Sequence, residues 1–396
     1  CGQCVNVCPT AALLEHSHTE QVLEALENPD LHVVVQTAPS IRAALGEGFG
    51  YPPGTPVTGK MVTACRLMGF DGVFDTNIGA DLTIVEESAE LVRRLETGQN
   101  LPLITSCSPG WISFLERFYP ELIPNASTCK SPMSMLSTLI KTYYAKKRNL
   151  DPEKIFVVGI MPCTAKKYEA GRPEHVMPSG KPYTDAVLTT REFIWLAKSL
   201  GVNFQQLPDG VFDSPLGISS GAGDIFGATG GVMEAALRTV YEVVTGEELK
   251  DVNFTAVRGL DGIKEATVKV GDLDVKVAVA SGLANARKLM DLMMEGKADY
   301  HFIEIMCCPG GCIGGGGQPQ PTSEEIRKAR IQAIYEEDEA MKIRKSHENP
   351  AVMKLYEEFL GEPLSHKSHE LLHTHYTPRE RRVIKAEEKP RKVKVE

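Results

Sequence analysis

Ten cysteines are distributed along the 396 residues in a way that suits metal. Cys1, Cys4 and Cys8 open the chain in CGQCVNVCP. Cys307, Cys308 and Cys312 crowd a late turn, and Cys65, Cys107, Cys129 and Cys163 lie between. In a chain this long, C-x-x-C spacing holds a metal or cluster more readily than it forms disulfides. The opening run matches the last three cysteines of the iron–sulfur pattern C-x2-C-x2-C-x3-C-P, whose fourth cysteine serves the second cluster of a pair. The competing readings, a zinc knuckle or free thiols, are disfavoured by the terminal Cys8-Pro9. The pattern's first cysteine would stand upstream of Cys1, so these residues alone do not complete a pair of four-iron clusters. Cys308 and Cys312 are followed by Gly314 to Gly317, Gln318 and Pro319. Such glycine density lets backbone approach a bulky inorganic group with amides facing it. A phosphate loop is the weaker alternative, because no Gly-Lys-Ser/Thr follows.

These residues need elements to position them. Val33 to Gln36, Leu101 to Ile104, Ile155 to Ile160 and Val275 to Ala280 read as short strands entering a loop and then a helix, which argues for parallel α/β units. Ligands in such folds gather at the carboxyl ends of the strands. Here the exits carry Thr37-Ala38-Pro39-Ser40, Thr105 to Trp111, and Met161-Pro162-Cys163. A further stretch, Tyr300 to Met306, exits into Cys307 to Cys312. Four segments are expected to converge on one cleft.

After Pro321 the sequence turns to charged, helix-like texture and then to a His-rich segment ending near Tyr376. Residues 378–396 hold eight Lys or Arg against four Glu and read as a solvated tail. The net charge of −9 offers a polyanion no overall attraction, which argues against nucleic acid. No apolar run approaches the ~18 residues that span a bilayer. Membrane insertion is not expected. Cysteine usage points to a reducing compartment, the cytoplasm, with a periplasmic home left open because any leader would lie upstream.

The segments TSCSPGW (105–111), MPCTAKKYE (161–169) and EIMCCPGGCIGGGGQP (304–319), in this order and after a ferredoxin-like run, resemble the three signature segments of [FeFe] (iron-only) hydrogenases. The likeness extends from Cys1 to about Tyr376 and includes TAPSIRAALGE and GATGGVMEAALR. It implies an α/β fold of two lobes, each a twisted, mainly parallel sheet flanked by helices, with the active-site cleft between them. The implied organisation is a truncated ferredoxin-like 4Fe-4S segment at 1–12, an H-cluster catalytic domain at 30–320, and a C-terminal wrapping extension at 321–377.

By the same resemblance, Cys163, Cys308 and Cys312 are ligands of a 4Fe-4S cubane. Cys312 is shared with a diiron unit bearing carbon monoxide, cyanide and a bridging dithiolate amine. Cys1, Cys4 and Cys8 hold accessory 4Fe-4S iron. Pro39, Ser40 and Lys166 stand as donors to cyanide or its close neighbours, and Met161, Pro162, Phe226 and Met306 as apolar packing. Cys107 exchanges a proton with the amine and passes it by water to Glu87, Ser127 and Glu90, with Arg94 near the surface. On spacing alone, Glu87 and Glu90 would read as an i, i+3 pair on a solvated helix face. The implied activity is reversible interconversion of protons plus electrons with dihydrogen. The implied partners are ferredoxin or a similar carrier and maturation factors for the diiron unit.

Two positions depart from the family pattern. Its first segment usually carries two adjacent cysteines, proton carrier then cubane ligand, whereas here Cys107 precedes Ser108. Cys307 stands where alanine is usual. Three readings stay open for the fourth ligand: Ser108 itself, a shifted Cys107, or an outside thiol such as Cys307; the positional reading, Ser108, is favoured. His366, His369, His373 and His375 could share a metal, but the better reading is packing of the extension against the lobes. Cys65 and Cys129 match no ligand position and read as buried small hydrophobes. Competing functions are a Nar1-like iron–sulfur assembly protein, expected to lose Cys107 and Lys166, and a hydrogen sensor, expected to carry an added regulatory domain.

Overall fold

The β-branched runs pair into two four-stranded sheets in the computed structural model, which describes residues 1–381. β1 (His32–Thr37), β2 (Gly72–Asp75), β4 (Ile155–Met161) and β5 (Ala186–Thr189) form an all-parallel sheet in the order 2-1-4-5. β3 (Leu103–Ile104), β6 (Ile263–Val270), β7 (Leu273–Ser281) and β8 (Phe302–Met306) form the second, in the order 3-8-7-6. Its β6–β7 pair is antiparallel; the other two pairings are parallel. The expected two mainly parallel lobes are therefore present.

Strands covered by helices on both faces are apolar throughout. Val33, Val34 and Val35 of β1 and Val157, Val158 and Ile160 of β4 are all buried, as are all five residues of β8. β6 instead alternates buried and exposed positions, as an edge strand with one wet face does. The strand expected at Leu101 starts at Leu103, because Pro102 has no N–H to give a ladder. β7 and β8 differ from expectation by two residues or fewer at each end.

Buried ion pairs tie the lobes and the segment after Pro321 together. Arg42 reaches Asp75 at 2.7 Å and Asp224 at 2.6 Å, and Arg238 pairs with Glu234 and Asp338, each at 2.8 Å. Asp338 lies on the helix Glu324–Ala340, so the segment after Pro321 is held against the second lobe by charge as well as by Ile334 and Tyr335. Arg379 and Arg381, read from sequence as the start of a solvated tail, instead dock on the helix Pro109–Phe118. The Arg379 amide donates to the Glu116 carbonyl at 2.9 Å, and Arg381 Nε donates to the Arg117 carbonyl at 2.8 Å. Residues 382–396 of that expected tail lie outside the described residues. No helix among the described residues is long and apolar enough to cross a membrane.

Candidate metal centre

β1 exits into the helix Pro39–Arg42, β3 into Thr105 to Ser108, β4 into Pro162 and Cys163, and β8 into the Cys307 to Cys312 turn. Their ends meet. Pro39, Cys107, Ser108, Met161, Pro162, Cys163, Lys166, Phe226, Met306, Cys308 and Cys312 all line one cavity. Thr76, Ala80, Pro132 and Met133 line it too. Sequence reasoning missed these four, since they lie outside the cysteine-bearing segments.

The chemistry of this wall is soft and apolar. Its thiols come without a single carboxylate, a donor set that favours an iron–sulfur cluster over a hard ion. Burial, with the neighbouring thiols adding to it, pushes Cys163 up to about 11 and Cys312 up to about 12. Such thiols keep their protons until a metal displaces them. The turn that carries them depends on glycine. Gly311 sits at φ +91°, and a Cβ there would meet the Thr229 amide at 2.6 Å. Glu304 of β8 stabilises the same neighbourhood by accepting hydrogen bonds from the Gly230 and Met233 amides, at 2.6 and 2.8 Å, at the start of the helix Gly231–Thr245.

Two polar groups suit a ligand that accepts hydrogen bonds. Lys166 Nζ donates to Glu169 Oε2 at 2.5 Å and to the Cys107 carbonyl at 3.2 Å, which leaves its third N–H for the cavity. Burial raises the Glu169 carboxyl, but the Lys166 ammonium outweighs it and holds the group below the usual range. Glu169 was missed from sequence, although its i, i+3 spacing from Lys166 in MPCTAKKYE was a signal. Ser40 does not line the cavity directly; its hydroxyl is buried with no protein partner. An orphaned buried hydroxyl is costly unless a bound group takes it.

A line of acid–base groups runs from the cavity into the long helix Asn77–Thr97. Cys107 lines the cavity, and burial together with the Glu87 charge pushes its thiol well above the ordinary value. Both Glu87 carboxyl oxygens are buried without a strict hydrogen bond, and burial raises this acid to about 8. Ser127 Oγ, beside it, donates to Glu90 Oε2 at 3.1 Å. Arg94, put near the surface by the resemblance, is 7% exposed. Its Nη2 donates to Glu90 Oε1 at 2.7 Å and to the Ala126 carbonyl, and its Nη1 to the carbonyls of Asn100, Pro124 and Asn125. A guanidinium so fully committed is a clamp on Glu90 and the 124–126 backbone.

The extension reaches this line too. His373 is buried between Glu86, 3.0 Å from Nε2, and the Thr128 hydroxyl, 2.8 Å from Nδ1. Glu90 and Cys129 stand close enough to share a metal with it, but both ring nitrogens are already engaged. His366 and His375 are exposed. Cys65 and Cys129 are fully buried.

The opening cysteine segment lies against the glycine loop. Cys4, within the short helix Gln3–Val7, is exposed, and Cys8, at its C-cap, is half-buried. Gln3 Nε2 donates to the Gly314 carbonyl at 2.8 Å and Asn6 Nδ2 to that of Gly315 at 3.1 Å. A Cβ at Gly316 would stand 2.5 Å from the Cys1 carbonyl oxygen, so this approach requires glycine. A cluster held here would sit next to the turn that carries Cys308 and Cys312.

Residues 31–316 match the family described as iron only hydrogenase large subunit, C-terminal domain, and residues 324–379 match iron hydrogenase small subunit. The chain belongs to the iron-only hydrogenase family. It is 55% identical over 388 residues to the NADP-reducing hydrogenase subunit HndD of Solidesulfovibrio fructosivorans, covering 96% of this chain and 66% of that one. Iron hydrogenase 1 of Clostridium pasteurianum is 47% identical, with 93% of this chain and 65% of the relative covered. The chain thus spans about two thirds of these relatives' length. A structure of the apo [FeFe]-hydrogenase HydA1 of Chlamydomonas reinhardtii superimposes with a TM-score of 0.81 at 44% identity, covering 92% of this chain and 99% of that one. Protein NAR1 of Arabidopsis thaliana is also related, at 31% identity over 96% of this chain and 84% of its own.

Proposed function

We propose that this chain is the catalytic unit of an enzyme that interconverts protons plus electrons with dihydrogen at an H-cluster. The observation that carries the reading is the convergence of Cys163, Cys308, Cys312, Lys166 and the Cys107–Glu87 line on one apolar cavity. When bound, the H-cluster, a cubane joined to a diiron unit with carbon monoxide, cyanide and a dithiolate amine, supplies an open iron that polarises dihydrogen and an amine that accepts its proton. Cys163, Cys308 and Cys312 would hold the cubane.

The protein's own part is positioning, drying and proton movement. Lys166 would offer its remaining N–H to a cyanide nitrogen that would otherwise be buried unpaired, and Ser40, next to the cavity-lining Pro39 and with an unpartnered hydroxyl, would be its close neighbour. Met161, Pro162, Phe226 and Met306 exclude water from the diiron ligands. Cys107 Sγ delivers or removes the proton. Glu87 relays it: a carboxyl lifted to about 8 is neutral at pH 7 yet close enough to ionising to pass a proton both ways. Ser127 and Glu90 continue the route, and Arg94 fixes Glu90 in place.

Electrons pass through the Cys1, Cys4 and Cys8 segment to ferredoxin or a similar carrier. The 55% identity to a subunit of an NADP-reducing hydrogenase favours, as a second acceptor, a pyridine nucleotide reached through a partner subunit. Cytoplasmic residence and dedicated maturation of the diiron unit belong to the same reading. The assembly-protein alternative, supported by the NAR1 likeness, is disfavoured because Cys107, Lys166, Glu87 and Glu90 are all in place around the cavity. The test is hydrogen evolution from reduced methyl viologen after the cubane is reconstituted and a synthetic diiron dithiolate-amine complex is loaded. Evolution lost in Cys107→Ala supports the proposal. No evolution by the parent despite spectroscopically verified cubane and diiron occupancy overturns it in favour of the assembly or sensor roles.

A further inference from the structure

A four-iron cubane bound by protein takes four ligands, by rule four thiolates. The cavity offers Cys163, Cys308 and Cys312, and the identity of the fourth is set by what else stands in the wall. Ser108 and Cys307 are 199 residues apart in sequence, yet they occupy one corner: the Cys307 amide donates to Ser108 Oγ at 3.3 Å, and both residues line the cavity. Ser108 stands just before the first turn of the helix Pro109–Phe118. The Cys307 thiol lies over that same turn, 2.6 Å from where a Cβ on Gly110 would be, so glycine at 110 is what makes room for it. Adjacent residues in a strand point to opposite faces. Cys307 and Cys308, however, follow the end of β8, where the chain bends, and both are 7% exposed and face the cavity.

We infer that the fourth cubane ligand is the Cys307 thiolate, delivered from the β8 turn into the corner that Ser108 would otherwise serve. The other candidates are occupied elsewhere. Cys107 packs against the core of the second lobe, and its carbonyl is held by Lys166. Cys1 belongs to the opening run. Ser108 offers a hydroxyl that already accepts the Cys307 amide, and oxygen is a harder ligand than the sulfur beside it. Binding is a proton-for-iron exchange at each thiol: the S–H bond breaks, the S–Fe bond forms, one proton leaves to solvent, and no electron is transferred.

The inference rests on the cubane reading above, and its test separates the two. The full chain is reconstituted with iron and sulfide, without any diiron complex, as parent, Cys307→Ala, Ser108→Ala, Cys163→Ala, and the double variant Ser108→Cys with Cys307→Ala. Iron and sulfide per chain, Mössbauer spectra and the cubane's EPR on reduction are read for each, with Cys163→Ala defining iron bound outside the cavity. The expected result is a four-iron signature in the parent, unchanged in Ser108→Ala, lost or converted to a three-iron form in Cys307→Ala, and restored in the double variant. Restoration also shows that Cys307→Ala still folds. A four-iron signature unchanged in Cys307→Ala, or one lost in Ser108→Ala, overturns the Cys307 assignment alone. A parent with no more cavity iron than Cys163→Ala overturns the assignment and the H-cluster reading together.

Discussion

Replacing Glu87 by glutamine should make the protein more stable and its catalysis far slower. The change keeps volume and burial but removes the ionisable proton. In the folded chain this acid is raised from 4.5 to about 8. A group raised on folding contributes stability that is full below its unfolded value and is lost as pH rises through the folded one. The loss therefore starts above about pH 4.5 and is complete above about pH 8. At pH 7 roughly 2.5 units of that window have been crossed, which at about 1.4 kcal/mol per unit amounts to about 3.5 kcal/mol. Glutamine never ionises and escapes this loss. Melting of the cluster-free protein should therefore show parent and Glu87→Gln nearly coincident at pH 4.5, with the variant pulling ahead by a few degrees as pH approaches 8. Hydrogen evolution by the loaded variant should fall by about a hundred- to ten-thousand-fold, the usual reach of a positioned proton relay. A variant that melts below the parent at pH 8, or that turns over at the parent's rate, would refute the argument that burial has tuned Glu87 as a relay.

Other perturbations separate the roles assigned above. Lys166→Met leaves Glu169 buried without its partner and should lower stability by about 3 kcal/mol; uptake of the synthetic diiron complex, followed by its infrared carbonyl and cyanide bands, should fall while the cubane EPR persists. Arg94→Lys cannot reproduce the five hydrogen bonds of the guanidinium and should lower the melting temperature by several degrees, with a smaller fall in turnover than Glu87→Gln produces. Gln3→Ala with Asn6→Ala loosens the opening segment from the glycine loop. It should slow electron delivery from a reduced protein carrier severalfold and leave hydrogen isotope exchange at the parent's rate, as gas chromatography and mass spectrometry would show.

Local chemistry made much of this site legible, and tertiary context hid the rest. β1, β4, β7 and β8 announced themselves because buried parallel strands are runs of Val and Ile bounded by Gly, Pro and Ser. β2 and β5, at four residues each, are too short to show a pattern. β6 was missed although Ile263–Val270 alternates and Gly271-Asp272, with Gly271 at φ +61°, joins it to β7 by a two-residue turn, a hairpin signal that was available. The cysteine segments carried their own spacing, so the cavity's ligand side was readable. Its opposite wall, Thr76, Ala80, Pro132 and Met133, was not, because small and apolar residues look like core wherever they fall. Arg94 was put near the surface by the resemblance alone; that the 124–126 backbone takes up its donors has no local signature. The bonding of His373 to Glu86 and Thr128, across more than 240 residues, has no local signature at all.

The most direct test of the account is isotope exchange between deuterium gas and water by the chain loaded with cubane and diiron complex, followed as HD in the headspace. It needs no electron carrier, so the absence of a partner protein cannot mask the outcome. The account predicts steady formation of HD by the parent, strongly reduced in Cys107→Ala and Glu87→Gln. Absence of HD from the parent at verified occupancy of both metal units would contradict the claim that this cavity handles hydrogen.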